Sequence, residues 1–315
     1  MSLVAEWSRI EPALAGVDLL EEMSLGFQAY SAGECVVPPV GELLLEETRG
    51  EVHIKYGYVR GGEHYVIKIA SGFPGNPGLG LPVGDGLMLL FSQKTGALAR
   101  VLLDEGHLTD ERTAAAGALA SRTMAPPEVK KVGILGSGVQ ARLQAKHHAS
   151  VFPEAEFLVW GRDPEKSAAC AADLKGAALR AASALDVEQI CKECEVIVTT
   201  TAAKESVLVS EWVQPGTHVT AVGSDTPEKQ EVEVALLARA DRVVCDSLEQ
   251  CRLRGEVSQA LRAGVINEEV VVELGAVLRG EAKGRTAAED VTISDLTGVA
   301  VQDLRIAEAV HTALG

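Results

Sequence analysis

From Lys131 to Asp295, short and almost uninterrupted apolar runs alternate with helix-forming stretches, and no other feature of the chain constrains its fold as much. The runs are KVGILG, EFLVW, EVIVTT, HVTAV, DRVVCD and DVTISD. A strand that is apolar on both faces must be covered on both. With helical stretches between the runs, the pattern predicts a doubly wound α/β domain around a parallel sheet.

The first run passes directly into GSGVQA, which matches the G-x-G-x-x-A form of the dinucleotide fingerprint at Gly136, Gly138 and Ala141. The first glycine permits the tight turn, the second lets a pyrophosphate approach the backbone, and the alanine lets helix and strand pack closely. The pattern alone is weak evidence. Here a strand precedes it, a helical stretch follows, and the next strand arrives on schedule, which makes a dinucleotide site the expectation. At the end of that next strand, where an acid would bond the ribose 2′-hydroxyl of NAD, the sequence reads VWGRDPEK. Arg162 suits the 2′-phosphate of NADP instead. Asp163 is the nearest acid, but Pro164 after it marks it as a helix N-cap with proline at the first helical position. NADP(H) is therefore expected in preference to NAD(H).

The first 125 residues read differently. EVHIKYGYVR, HYVIKIA, GLMLLFS and ALARVLL are strand-like with few helices between them, which predicts an antiparallel or mixed sheet in a separate α+β domain. TDERTAAAGALASRTMA then reads as a helix capped at Thr109/Asp110, with Arg112 in its first turn, leading to PPEVKK as a linker. AVQDLRIAEAVHTALG at the C-terminus reads as a further helix that packs back on the first domain. The expected division is 1–126 plus the helix 299–315 in one domain and 127–298 in the other.

At 315 residues and 47% hydrophobic content the chain can bury a substantial core. Its net charge of −16 disfavours nucleic acid or an anionic membrane as partner. No apolar run approaches the length of a membrane span, and the N-terminus lacks a signal-peptide pattern, so a cytoplasmic location is expected. The six cysteines are scattered and read as reduced thiols. Cys191 and Cys194 have redox-motif spacing, but no second pair or histidine cluster completes a metal site, and a structural role is the better reading.

Taken together, ILGSGVQA, LTDERTAAAGALA, VIKIASGFPGNPGLGLP, EWVQPGTHVTAVGSDTPEKQEV and ISDLTGVAVQD resemble the ornithine cyclodeaminase/μ-crystallin family across nearly the whole chain. The segments around Lys68 look closest to its ectoine-utilisation branch. The resemblance implies a Rossmann domain plus a substrate-binding and dimerisation domain, a homodimer, and a small imino or amino acid as substrate. It also implies roles. Arg112 matches the carboxylate-binding arginine, Lys68 the active-site lysine, and Asp225 the aspartate that faces the substrate nitrogen. The residue types fit: a guanidinium grips a carboxylate in bidentate fashion, Lys68 alternates with Ile67 and Ile69 along its strand, and Asp225 follows the fourth apolar run. Taken singly, each also reads as an ordinary solvated charge or turn former. The expected cofactor contacts are Gly136, Gly138, Val139, Gln140, Ala141, Arg162, Thr113, Thr200 and Val222. No metal is expected. One departure matters: many members carry an arginine where this chain has Gly41, which puts ornithine cyclisation in doubt. The reading is an NADP-preferring imino-acid reductase or amino-acid dehydrogenase, with a cyclodeaminase or a non-catalytic ligand binder as alternatives.

Overall fold

The computed structural model describes residues 3–315. The chain opens with β1 (Val4–Glu6), α1 (Trp7–Leu14), α2 (Leu19–Ser31), β2 (Cys35–Val36), β3 (Gly41–Leu45), β4 (Gly50–Val59), β5 (His64–Gly72), β6 (Gly84–Ser92), β7 (Leu98–Leu103) and α3 (His107–Met124). Next come β8 (Lys131–Leu135), α4 (Val139–Val151), β9 (Glu156–Trp160), α5 (Pro164–Gly176), β10 (Ala181–Ser183), α6 (Val187–Glu193), β11 (Val196–Thr199) and β12 (His218–Ala221). The chain finishes with α7 (Val234–Arg239), β13 (Arg242–Cys245), α8 (Leu248–Cys251), α9 (Gly255–Arg262), β14 (Val271–Glu273), α10 (Leu274–Leu278), β15 (Thr292–Asp295) and α11 (Ala300–Leu314). These elements form two compact units, residues 1–112 with 299–315, and residues 113–298.

The first unit holds a seven-stranded mixed sheet in the order β1-β7-β6-β5-β4-β2, with β3 also paired to β4. Only β1 runs parallel to its neighbour; the other pairs are antiparallel. Along β5 the period of two is kept: Val66 and Lys68 are buried, whereas Ile67 and Ile69 are only partly so. The buried face packs under α11, which also touches α1 and α2, around Ile10, Met23, Phe27, Val66, Met88, Leu90 and Leu102. The other face bears cross-strand rows of Tyr56, Ile67 and Leu89, and of Tyr58, Tyr65 and Phe91, with the Tyr65 and Phe91 rings stacked 5.0 Å apart.

Helix α3 begins earlier than the Thr109/Asp110 signal suggests. It starts at His107, where Asp104 Oδ2 accepts from the Leu108 N–H at 2.9 Å. The chain reaches that start through Glu105 and Gly106, both at positive φ. Arg112 is consequently in the second helical turn, not the first, and an N-terminal dipole contributes little to its anion affinity, because that effect fades within one turn.

The second unit is built on an eight-stranded, wholly parallel sheet, β10-β9-β8-β11-β12-β15-β13-β14. All six apolar runs are strands in it, and two short edge strands, β10 and β14, join them. The order reverses between β8 and β11, and ligands of such sheets bind at the carboxyl ends of the strands at that point. Cys191 and Cys194 are buried at the end of α6, and burial pushes the Cys191 thiol up to about 12, which leaves these thiols as packing groups. Among the described residues, no helix is long and apolar enough to cross a membrane.

Candidate active site

In the second unit a cleft of about 810 Å³ opens at the reversal point of the sheet. Its walls come from the carboxyl ends of three strands and the loops after them: Gly136 and Ser137 after β8, Trp160 at the end of β9 with Gly161 to Asp163 after it, and Thr200 to Val207 after β11. Gly136 has φ +132°. A Cβ there would lie 2.1 Å from Thr200 Oγ1, whose hydroxyl bonds to the Leu135 carbonyl at 3.1 Å. Gly138 is the N-cap of α4 and carries no side-chain cap, and a Cβ on it would meet nothing within 4 Å. The helix therefore presents uncapped N–H groups beside an open backbone, as a bound pyrophosphate requires. Asp163 is committed to its helix, since its Oδ1 accepts from Glu165 N at 3.0 Å and Lys166 N at 3.2 Å with Pro164 at the helix start. Arg162 is exposed on the cleft and has no hydrogen-bond or ionic partner among the described residues. These features fit a dinucleotide.

The loop after β12 carries Asp225, whose Oδ1 lies 2.7 Å from Lys229 Nζ. Arg254 Nη1 donates to the Asp225 carbonyl at 3.2 Å. Beneath this loop are buried carboxylates. Glu231 accepts from Thr199 Oγ1 at 2.6 Å, from Gly223 N at 2.8 Å and from Thr201 N, tying the ends of β11 and β12 together. Glu256 accepts from the N–H groups of Glu231 and Val232, and Asp295 from that of Val257. Burial raises Glu231 and Asp295 each to about 7, against the hydrogen bonds they accept. Burial and the neighbouring acids Asp295 and Glu231 raise Glu256 well above the usual range.

Because the folded chain holds these protons more tightly than the unfolded one, their contribution to stability is complete below about pH 4 and is lost as pH rises through about 7. Thermal unfolding should therefore come several degrees lower at pH 8 than at pH 5.5, on the order of 5 °C. A calorimetric midpoint that rises over this interval would contradict the protonation of the cluster.

The first unit assembles a second constellation on the buried face of its sheet. Lys68 Nζ on β5 lies 3.5 Å from Asp303 Oδ1 of α11, and Arg112 Nε on α3 lies 3.0 Å from the same oxygen, without hydrogen-bond alignment. All three are buried, at 2%, 4% and 0% exposure for Lys68, Arg112 and Asp303. Asp104 adds a second carboxylate, which burial raises to about 6. Burial lowers Lys68 to about 8, with Asp303 acting in the opposite direction. The Nη groups of Arg112 have no hydrogen-bond partner among the described residues. Two cations thus share one carboxylate edge-on, and a fork of donors is left over.

Of the residues singled out in the sequence, Gly136, Arg162 and Thr200 line one cleft. Gly138, Val139 and Gln140 stand at the start of α4, with Val139 59% exposed. Ala141 is fully buried where α4 meets the sheet, and Val222 is nearly so. The Thr113 carbonyl accepts from Gln144 Nε2 on α4 at 3.3 Å. Lys68 and Arg112 come together in the first unit, and Asp225 belongs to the second. Gly41 opens β3 opposite Ile54 and offers no cation. Sequence reasoning missed Asp303, Lys229 and the acids beneath the Asp225 loop. For Lys229 a signal existed, since it follows Asp225 at i,i+4.

Known proteins resemble this chain in sequence and in fold. Residues 2–314 match the ornithine cyclodeaminase/mu-crystallin family. An uncharacterized cyclodeaminase of Sinorhizobium fredii is 43% identical over 89% of this chain and 86% of its own length. The iminosuccinate reductase of Paracoccus denitrificans is 35% identical over 85% of this chain and 83% of its own. Among solved structures, an archaeal alanine dehydrogenase dimer with bound NAD superposes with a TM-score of 0.90 at 30% identity, covering 99% of this chain and 95% of that one. The chain therefore belongs to the ornithine cyclodeaminase/mu-crystallin family.

Proposed function

We propose that this chain is an NAD(P)H-dependent oxidoreductase that acts on the C=N or CH–NH group of a small imino or amino acid. The observation that carries the reading is the buried pair Lys68 and Arg112, whose donors exceed what Asp303 accepts. A substrate carboxylate supplies the missing acceptors: the Nη edge of Arg112 binds it in bidentate fashion and the Lys68 ammonium adds a charged hydrogen bond. Asp225 holds or passes the proton at the substrate nitrogen, and Lys229 fixes the carboxylate that does so. A dinucleotide bound at the cleft supplies or accepts the hydride. Relatives named iminosuccinate reductase and alanine dehydrogenase work on substrates of this class.

In this reading residues 1–126 with 299–315 bind substrate and 127–298 bind the dinucleotide. The aromatic and aliphatic outer face of the first sheet pairs two copies into a homodimer in this reading; the archaeal neighbour is a dimer. The free thiols suit a cytoplasmic enzyme. The screen that tests the function supplies NADPH or NADH with the imines formed from pyruvate or oxaloacetate and ammonium, and with Δ1-pyrroline-2-carboxylate. Stoichiometric loss of reduced-cofactor absorbance is expected with at least one. Proline and ammonia formed from ornithine with no net change in NAD would instead mark a cyclodeaminase.

The finer reading is a preference for NADP. Among the described residues Arg162 faces the cleft without a partner, and Asp163, the acid beside it at the end of β9, is spent as a helix cap. Arg162→Ala should weaken NADPH binding by about 1 to 3 kcal/mol while leaving NADH nearly unchanged. The NAD held by the archaeal neighbour makes this a sharp test. Equal losses for the two cofactors, or a native preference for NADH, would count against it.

A further inference from the structure

Asp303 has no role in the reading so far, yet its position is unusual. It stands in the first turn of α11, where a carboxylate ordinarily stabilises a helix by accepting from free N–H groups. Here that task is taken by Gln302, whose Oε1 accepts from Val299 N at 2.7 Å. Among the described residues neither oxygen of Asp303 accepts an aligned hydrogen bond, although the residue is fully buried. Its partners are two cations from two other elements, Lys68 at 3.5 Å and Arg112 at 3.0 Å. An ion cluster of this kind is a poor device for stability, because desolvating three charged groups offsets their attraction. It is a good device for orientation, because it approaches Arg112 from the Nε side and so leaves the Nη edge clear.

We propose that Asp303 is a positioning residue for the reaction, holding the Lys68 ammonium and the Arg112 guanidinium so that together they receive the substrate carboxylate. The proposal rests on the oxidoreductase reading for its catalytic consequence, but the ionic arrangement itself can be tested without turnover.

Among the described residues four charged groups stand around Lys68. Asp303 faces it from α11, Arg112 from α3 and Asp104 from the end of β7, and Lys55 stands opposite it in register on β4, buried on the same face. On β6 its register partner is Met88, which carries no charge. Asp303 is the largest influence keeping Lys68 protonated against burial and Arg112. Removing its charge at constant shape must move the Lys68 titration to lower pH.

The experiment is Asp303→Asn in the full chain, with two readouts. In the first, trace labelling with acetic anhydride across pH, followed by mass spectrometry, gives the titration midpoint of Lys68. That midpoint should fall by at least about one pH unit, tenfold in proton affinity, relative to the native chain. In the second, the alkaline limb of kcat/KM for reduction of the imines of pyruvate and oxaloacetate should move down by a similar amount, with KM raised about tenfold or more at neutral pH as the Arg112 fork loosens. A purely structural residue would lower the melting temperature and leave both midpoints in place, and that result in a folded variant overturns the proposal. A native chain that reduces neither imine, with the Lys68 midpoint shifted as expected, would sink the oxidoreductase reading and still support the Asp303 pairing. Should Asp303→Asn fail to fold, Asp303→Asn/Lys68→Met removes both charges together. Recovery of folding is then expected, and failure to recover would overturn the coupling.

Discussion

Asp225→Ala and Lys68→Ala should each lower kcat/KM for NAD(P)H-dependent imine reduction by at least about 10²-fold, the lower end for losing a positioned proton-transfer or charge-binding group. The two losses should differ in kind. Asp225 is on a partly exposed loop, and its partner Lys229 is 17% exposed, so removing the carboxylate leaves an ammonium that water can reach. The variant should fold as the native chain does, keep its KM, and lose kcat, because the missing group acts on the proton at nitrogen and not on the carboxylate. Lys68 is 2% exposed and faces an Asp303 that is wholly buried. Its removal takes away one of the two cations paired with that acid, so Lys68→Ala should raise KM, lower kcat and reduce stability together. Steady-state kinetics with calorimetry separates the patterns. Full activity in both variants would show that neither residue belongs to the machinery, and a Lys68→Ala enzyme with native KM would remove the lysine from carboxylate binding.

Much of this is legible in the sequence, and the parts that are not share a physical cause. The six apolar runs of the second unit, the turn at Gly136 and Gly138 and the Asp163-Pro164 helix start are local statements, carried by residues adjacent in the chain, and the structure has each where the pattern puts it. Thr109 and Asp110 imitate a cap, so the sequence pattern puts the start of α3 later than His107, where it lies. The group that in fact accepts from the first turn, Asp104, is separated from the helix by a positive-φ turn at Glu105 and Gly106. Asp303 could not be found by spacing, since the cations it serves lie 235 and 191 residues earlier, on a strand and on another helix. Glu231, Glu256 and Asp295 were hidden for a related reason. In a chain with 45 acids a carboxylate is read as surface by default, and only the packing under the Asp225 loop shows these three to be interior. Tertiary proximity, not local propensity, creates the site's electrostatics.

Gly136→Ala and Gly138→Ala offer the second large effect, because two glycines of one fingerprint should fail in different ways. At Gly136 the backbone has φ +132°, which L side chains rarely adopt, and an added Cβ would meet Thr200 Oγ1 at 2.1 Å and the Thr200 carbonyl oxygen at 3.0 Å. The threonine cannot simply swing away, for its hydroxyl is bonded to Leu135 O and its N–H is bonded to the same carbonyl at 2.8 Å. Relief must come from moving the ends of β8 and β11 apart, where both strands are hydrogen-bonded in register. Gly136→Ala should therefore lose about 2 to 4 kcal/mol of stability, the sum of a strained φ and an overpacked contact. Dinucleotide binding should fall with it by about 10²-fold or more, since the loop that faces the phosphates is displaced. Gly138 is the opposite case. A Cβ there meets nothing within 4 Å in the protein, so Gly138→Ala should unfold at the native temperature. Its methyl group would enter space that the pyrophosphate needs, and binding should weaken by about 10-fold or more with stability unchanged. Calorimetric unfolding paired with titration of NADPH and NADH distinguishes the two variants. Undiminished binding in Gly138→Ala would mean that the open face of the turn receives no phosphate, and the dinucleotide assignment of the cleft would fall with it.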